Sequence, residues 1–156
     1  MLKIDIPGRG TLEVAHLALD LNGTLATDGI VPPPIVERLH RLAAILDLHV
    51  LTADTFGTAS ALAGLGVQLT LLGPEDQVAA KAAAVRALGA GQTAAIGNGM
   101  NDVAMLRDAA LGILIMGREG AAVRALLAAD VVVGTIEDAL DLFLCPKRLM
   151  ATLRTM

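Results

Sequence analysis

Short apolar runs alternate along this chain with longer segments in which apolar positions recur every three or four residues. Leu2-Lys3-Ile4-Asp5-Ile6 alternates with period two, Pro7-Gly8-Arg9-Gly10 makes a turn, and Thr11–Val14 can return as a partner strand, which predicts an N-terminal β-hairpin. Further strands are expected over Ala15–Leu21, Leu48–Leu51 (ending at Thr52), Val67–Leu72, Thr93–Ile96, Leu111–Met116 and Val131–Val133. Between them, Ile35, Leu39, Leu42, Ile45 and Leu46 fall on one face of a helix over Ile35–Leu46, with Glu37, Arg38, His40 and Arg41 on the other. Helices are also expected over Phe56–Gly64, from Gly73-Pro74-Glu75-Asp76 through Lys81 to Leu88, and over Val103–Ala109, Ala121–Ala129 and Ile136–Leu144. Pro146 should break or kink the last one before a basic tail with Lys147, Arg148 and Arg154. Strands alternating with helices predict a three-layer α/β domain on a mostly parallel sheet, with residues 1–156 forming one domain.

Composition narrows the function classes. Hydrophobic residues make up 54% of the chain but aromatics only 1%, so the core must be built of Leu, Val, Ala, Ile and Met. Without Trp or Tyr there is little to stack on nucleobases, and a net charge of -4 gives no basic footprint for nucleic acid. No apolar run approaches the roughly 18 residues of a membrane span, and Met1–Gly10 is too polar and too broken by Gly and Pro for a signal peptide. Cys145 is the single cysteine, which leaves no disulfide framework and no cysteine metal cluster. A cytoplasmic location is the expectation.

The chemistry concentrates on Leu17-Ala18-Leu19-Asp20-Leu21-Asn22-Gly23-Thr24-Leu25. An apolar strand ends in a carboxylate and a polar turn follows. Open α/β sheets place their ligands at this end of their strands, and the N–H groups of such a turn can point at an anion. The arrangement suits a carboxylate facing a phosphoryl group, although a strand-end aspartate that caps a turn has the same pattern. His16 lies early on the strand, away from that end, and reads as a partly buried structural histidine; His40 reads as a solvated helix position. Asp28, in the Thr27-Asp28-Gly29 turn, reads as a plain turn residue, with contact to a substrate as the alternative, and Arg118-Glu119-Gly120 carries no chemistry identifiable from sequence.

The Asp20–Thr24 stretch resembles motif I of the haloacid dehalogenase-like (HAD) superfamily, an apolar strand followed by Asp-x-Asp-x-Thr or a variant. Val50-Leu51-Thr52 resembles motif II, Lys81 the motif III lysine, and Gly97-Asn98-Gly99-Met100-Asn101-Asp102 the Gly-Asp-Gly-x-Asn-Asp of motif IV. Within the superfamily the chain is similar to soluble proteins labelled P-type ATPase-like, which carry only the phosphorylation-domain core. The resemblance implies a Rossmann-like HAD core. The spacings from Asp20 to Thr52 and from Thr52 to Lys81 leave no room for a cap domain or a pump's nucleotide-binding insert. Ion transport is therefore not expected.

The resemblance also implies roles. Asp20 would be the nucleophile, Thr52 a hydroxyl donor to the phosphoryl oxygens and Lys81 a point charge beside them. Gly23, Thr24 and Ala53 would supply phosphate-binding N–H groups or turn geometry, and Asn101 would hold Lys81 or a substrate oxygen. Mg²⁺ would be held by Asp20, the backbone carbonyl of Asn22, Asn98 and Asp102. Two departures matter. Asn22 stands where the acid/base aspartate is usual, and Asn98 where a metal-binding aspartate is usual. An amide cannot exchange a proton at neutral pH, so turnover should be slow. The expected activity is that of a Mg²⁺-dependent phosphatase or phosphotransferase working through an aspartyl-phosphate on a small phosphorylated substrate or phosphoryl donor. The alternatives are an attenuated phosphate-binding or regulatory module, or a structural role. The apolar segment Leu140–Leu144 can pack internally or between subunits of a homo-oligomer.

Overall fold

A computed structural model describes residues 1–53 and 62–156. The order of elements is β1 (Leu2–Ile6), β2 (Gly10–Val14), β3 (His16–Asp20), α1 (Pro33–Ala43), β4 (Asp47–Thr52), β5 (Val67–Leu71), α2 (Gln77–Leu88), β6 (Thr93–Gly97), α3 (Val103–Asp108), β7 (Leu111–Ile115), α4 (Val123–Ala128), β8 (Val131–Val133), α5 (Ile136–Leu144) and α6 (Pro146–Leu153). The helix expected over Phe56–Gly64 falls mostly on residues outside those described.

β1 and β2 pair antiparallel as the expected hairpin. The other six strands form one sheet in the order β5-β4-β3-β6-β7-β8, with every neighbouring pair parallel. The chain winds outward from β3 in one direction through β4 and β5, then returns to β6 and winds the other way. Ligands of doubly wound sheets bind in the crevice left at such a reversal, beyond the C-terminal ends of the strands. Here the reversal lies between β3, which ends at Asp20, and β6, which ends at Gly97.

The sheet is apolar on both faces because helices cover both. Leu17, Leu19, Leu48, Val50, Ile96, Leu111, Ile113 and Ile115 face one layer, where α1 packs against α5 and α5 against α6. Ala18, Leu51, Ala95 and Leu114 face the other, where α2 packs on α3 and α3 on α4. Burying each such Leu, Ile or Val contributes about 1.5–3 kcal/mol. Among the described residues no helix is long and apolar enough to cross a membrane.

Among the boundaries that differ from those read off the sequence, three have a clear local reason. α1 stops at Ala43, so Ile45 leaves the apolar stripe and is 39% exposed, while the following turn still buries Leu46. Gly73–Asp76 precede α2 instead of forming its first turn; Asp76 is the N-cap, its side chain accepting a hydrogen bond from the Ala79 N–H at 3.1 Å. Pro146 breaks the preceding helix as expected, but the basic tail after it is itself helical: Pro146 starts α6, where its missing N–H is not needed. His16 is partly buried, and its Nδ1 lies 3.3 Å from Nε2 of His49 at the end of the sheet remote from Asp20.

Candidate active site

Strand β3 carries Asp20 to the crevice. The next residues form a tight turn: Thr24 N–H and Ala26 N–H both donate to the Leu21 carbonyl, and Gly23 N–H donates to that of Ala26. Gly23 has φ +76°, a conformation that glycine adopts without strain. A second constraint acts on the same residue. A Cβ there would lie 2.5 Å from Oε2 of Glu119 and 3.0 Å from Nδ2 of Asn98. The turn thus buries Thr24, whose hydroxyl donates to Asp20 Oδ2 at 3.1 Å and lies 3.4 Å from Asn98 Oδ1.

Lys81 reaches this point from the middle of α2. It is 1% exposed, and its ammonium donates to Asp20 Oδ1 at 2.5 Å and to Asp102 Oδ1 at 2.7 Å. Asp102 is fully buried, and its second oxygen accepts from the backbone N–H groups of Asn98 and Gly99, both at 2.9 Å. Gly97 is what lets the loop fold back so tightly: a Cβ on it would lie 2.5 Å from Asp102 Cγ. One cation between two carboxylates leaves the cluster with a net negative charge in a poorly solvated place.

That imbalance acts on the ionisation of Asp20. Burial first, and then the neighbouring Asp102, push the Asp20 carboxyl from an ordinary 3.8 to about 6, against the opposing pull of Lys81 and Thr24. Burial alone would lower the Lys81 ammonium; the two carboxylates outweigh it and hold its pKa above the ordinary lysine value.

A cavity of about 280 Å³ opens over this cluster, lined by Asp20, Asn22, Thr52, Ala53, Gln77, Lys81 and Asn101. Residues from each of the four sequence motifs line this cavity, whereas Gly23 and Thr24 line a neighbouring one. Asn22 is exposed at the mouth, whereas Asn98 is buried beneath it. Asn101 does not hold Lys81, whose acceptors are Asp20 and Asp102; its amide lies 3.4 Å from Gln77 Oε1 instead. Gln77 was not singled out from sequence, yet it lies one helical turn before Lys81, so the helical period was a signal for it. Glu119 had no such signal, because only the fold brings its loop to Gly23.

The donors around Asp20 fit a hard divalent cation. They are oxygens: the Asp20 carboxylate, the Asn98 amide oxygen and the Asn22 carbonyl, which accepts none of the turn's backbone hydrogen bonds. Among the described residues no three His, Cys, Asp or Glu side chains converge as a metal cage. A cation here would rest on few charged ligands, with water and substrate oxygens completing its shell.

No protein-family model matches the chain. Among solved structures it is similar to the 3-deoxy-D-manno-octulosonate 8-phosphate phosphatase of Moraxella catarrhalis, solved with magnesium, phosphate and KDO. The TM-score is 0.70 at 17% identity, covering 90% of this chain and 94% of that one. It is equally similar to the cobalt-bound deoxy-D-mannose-octulosonate 8-phosphate phosphatase of Haemophilus influenzae, with TM-score 0.70 and 19% identity over 92% and 95% of the two chains. These neighbours are HAD superfamily phosphatases, and the α/β fold with its parallel sheet is the Rossmann-like HAD fold. In sequence, the chain is 53% identical over 60 residues to the uncharacterized protein MJ0073 of Methanocaldococcus jannaschii, a match covering 38% of this chain and only 64% of that relative's length. It is also 46% identical over 39 residues to the uncharacterized protein MJ0072 of the same organism, covering 25% of this chain and 89% of that protein. With nearly all of MJ0072 matched at that identity, the chain belongs to the same family as MJ0072.

Proposed function

We propose that this protein is a divalent-cation-dependent phosphohydrolase or phosphotransferase in which Asp20 is the nucleophile. The observation that carries the reading is the buried Lys81 ammonium held between Asp20 and Asp102, at the floor of a cavity over the sheet's reversal point. The likeness in fold to HAD phosphatases supports it.

In the first step an Asp20 oxygen attacks phosphorus and the bond from phosphorus to the leaving oxygen breaks, giving an aspartyl-phosphate. Thr52, at the end of β4, and Lys81 share the charge on the equatorial oxygens. Asn22, in the turn after Asp20, and Ala53 line the same space, while Gly23 and Thr24 shape that turn and line a neighbouring cavity. In the second step water, or an acceptor hydroxyl, attacks the phosphorus and releases Asp20. Mg²⁺, held by Asp20, the Asn22 carbonyl and Asn98, would neutralise phosphoryl charge. Both oxygens of Asp102 are already engaged, so Asp102 would act on the cation from behind, by holding Lys81 and the loop of Asn98. Asn22 can neither protonate the leaving group nor deprotonate water, so both steps are slow. A cavity of about 280 Å³, open to solvent, suits a small phosphorylated substrate.

The test combines turnover of a generic phosphate monoester with attachment of beryllofluoride, a mimic of the aspartyl-phosphate. Both are expected in the wild type with Mg²⁺ and both should disappear in Asp20→Asn. Beryllofluoride attachment without turnover would favour an attenuated phosphate-binding module over a phosphatase. No attachment at all would overturn the proposal.

Cation binding should also be linked to protons. The Asp20 carboxyl is raised in the folded protein, so the folded state holds that proton more tightly than the unfolded chain does. Without cation, the stability due to this group is full below the ordinary carboxylate value of 3.8 and is lost as pH rises through about 6. A cation requires the ionised form. Mg²⁺ binding near pH 5.5 should therefore release most of a proton per ion, and near pH 8 almost none. Calorimetry in two buffers of different ionisation enthalpy measures this directly.

A further inference from the structure

The loop after β7 closes on the site. The Ala122 N–H donates to the Asn98 carbonyl at 2.9 Å, and the Asn98 side-chain amide lies 3.4 Å from the Gly120 carbonyl. Just before these two contacts in the chain, Glu119 extends over the turn that follows Asp20. Its Oε2 and Asn98 Nδ2 lie 2.5 and 3.0 Å from the position a Gly23 Cβ would take, so carboxylate and amide share one small patch of the turn.

The charge arrangement makes this placement informative. Asp102 spends one oxygen on Lys81 and the other on two backbone N–H groups, and Asp20 meets Lys81 with one oxygen and Thr24 with the other. Asn98, beside them, is neutral. Among the described residues Glu119 has no hydrogen bond or ion pair, so its charge is uncommitted, and it sits against Asn98, a neutral side chain whose amide oxygen faces the same hydroxyl as Asp20. The affinity of an oxygen-ligand site for a divalent cation rises with the number of charged groups around it.

We propose that Glu119 supplies, from the loop after β7, the negative charge toward a divalent cation that Asn98 does not carry. Glu119 is a positioning residue here, acting on the cation from beside Asn98, and the inference rests on the cation-dependent reading of Asp20 given above. It also accounts for Asn98 being an amide. An aspartate at 98 would face the Glu119 carboxylate and the Gly120 carbonyl, whereas the amide donates toward the Gly120 carbonyl and puts no second charge beside Glu119.

The experiment is calorimetric titration of the purified protein with MgCl₂ alone, without phosphate, in wild type, Glu119→Gln, Asp20→Asn, Asn98→Asp and the double variant Asn98→Asp/Glu119→Gln. Glu119 is exposed, so Glu119→Gln should fold normally, as circular dichroism would verify. Loss of an outer group of this kind weakens metal binding by about 10–100-fold, and that is the change expected in Glu119→Gln. Moving the charge back in the double variant should restore affinity to near the wild-type value. Asn98→Asp alone, with two adjacent carboxylates, should gain less than the separate effects predict. Unchanged Mg²⁺ affinity in Glu119→Gln, with affinity lost in Asp20→Asn, would overturn this role while leaving the cation site intact. Unchanged affinity in both variants would overturn the cation-dependent reading itself.

Discussion

Lys81→Met is expected to destabilise the protein by about 3–5 kcal/mol and to abolish turnover. Methionine nearly matches lysine in length and fills its space, so no cavity explains the loss. What remains is electrostatic: the Asp20 and Asp102 carboxylates, 6% and 0% exposed, would face each other without the ammonium that now lies within 2.7 Å of both. Removing one partner from a buried ionic cluster leaves uncompensated charge, which is the origin of that magnitude. The sign of the pH dependence follows. Without Lys81 the Asp20 carboxyl, already raised to about 6, rises further, so the folded variant gains stability relative to the unfolded chain as pH falls. Urea unfolding of wild type and variant near pH 8 and near pH 5 should show a deficit that shrinks in acid. A deficit independent of pH would mean that packing, not charge, makes Lys81 necessary.

Asn22→Asp is expected to raise turnover of a phosphate monoester by about 10²–10⁴, the range that general acid–base catalysis contributes. Asn22 is exposed at the mouth of the cavity that Asp20 lines, two residues along a turn pinned at Leu21 and Ala26. A carboxyl there can reach a leaving oxygen over the bound phosphoryl group, and its solvent exposure keeps it able to exchange protons. The substitution adds no bulk and leaves the Gly23 and Ala26 backbone hydrogen bonds untouched. The effect should appear in kcat, since a proton given in the transition state does not strengthen binding in the ground state. Equal kcat in wild type and variant would show that a step other than proton transfer limits the reaction.

Much of this could be read along the chain because its signals are local. Period-two and period-3.6 patterns report which side of a segment meets the core, and from β3 to α5 they placed the described elements to within a few residues. The misplaced ends at Ala43 and Asp76, and the unexpected helix that starts at Pro146, turn on caps and first-turn geometry, which depend on backbone angles more than on residue type. The site was legible where its residues lie at strand ends or in spaced motifs. Asp20, Thr52, Lys81 and Asp102, which the fold brings together, were candidates on that basis.

The sequence by itself determined an alternating α/β chain with an acidic strand end, a lone lysine in the right helix and two amides where carboxylates are usual. It could do so because side-chain chemistry and periodicity are properties of neighbours along the chain. Only the tertiary structure decided that Lys81 is enclosed between Asp20 and Asp102, that both oxygens of Asp102 are engaged, that Asn101 meets Gln77, and that Glu119 lies over Gly23. Those outcomes depend on how strands far apart in sequence stack side by side, and on which charges the resulting burial forces to find partners.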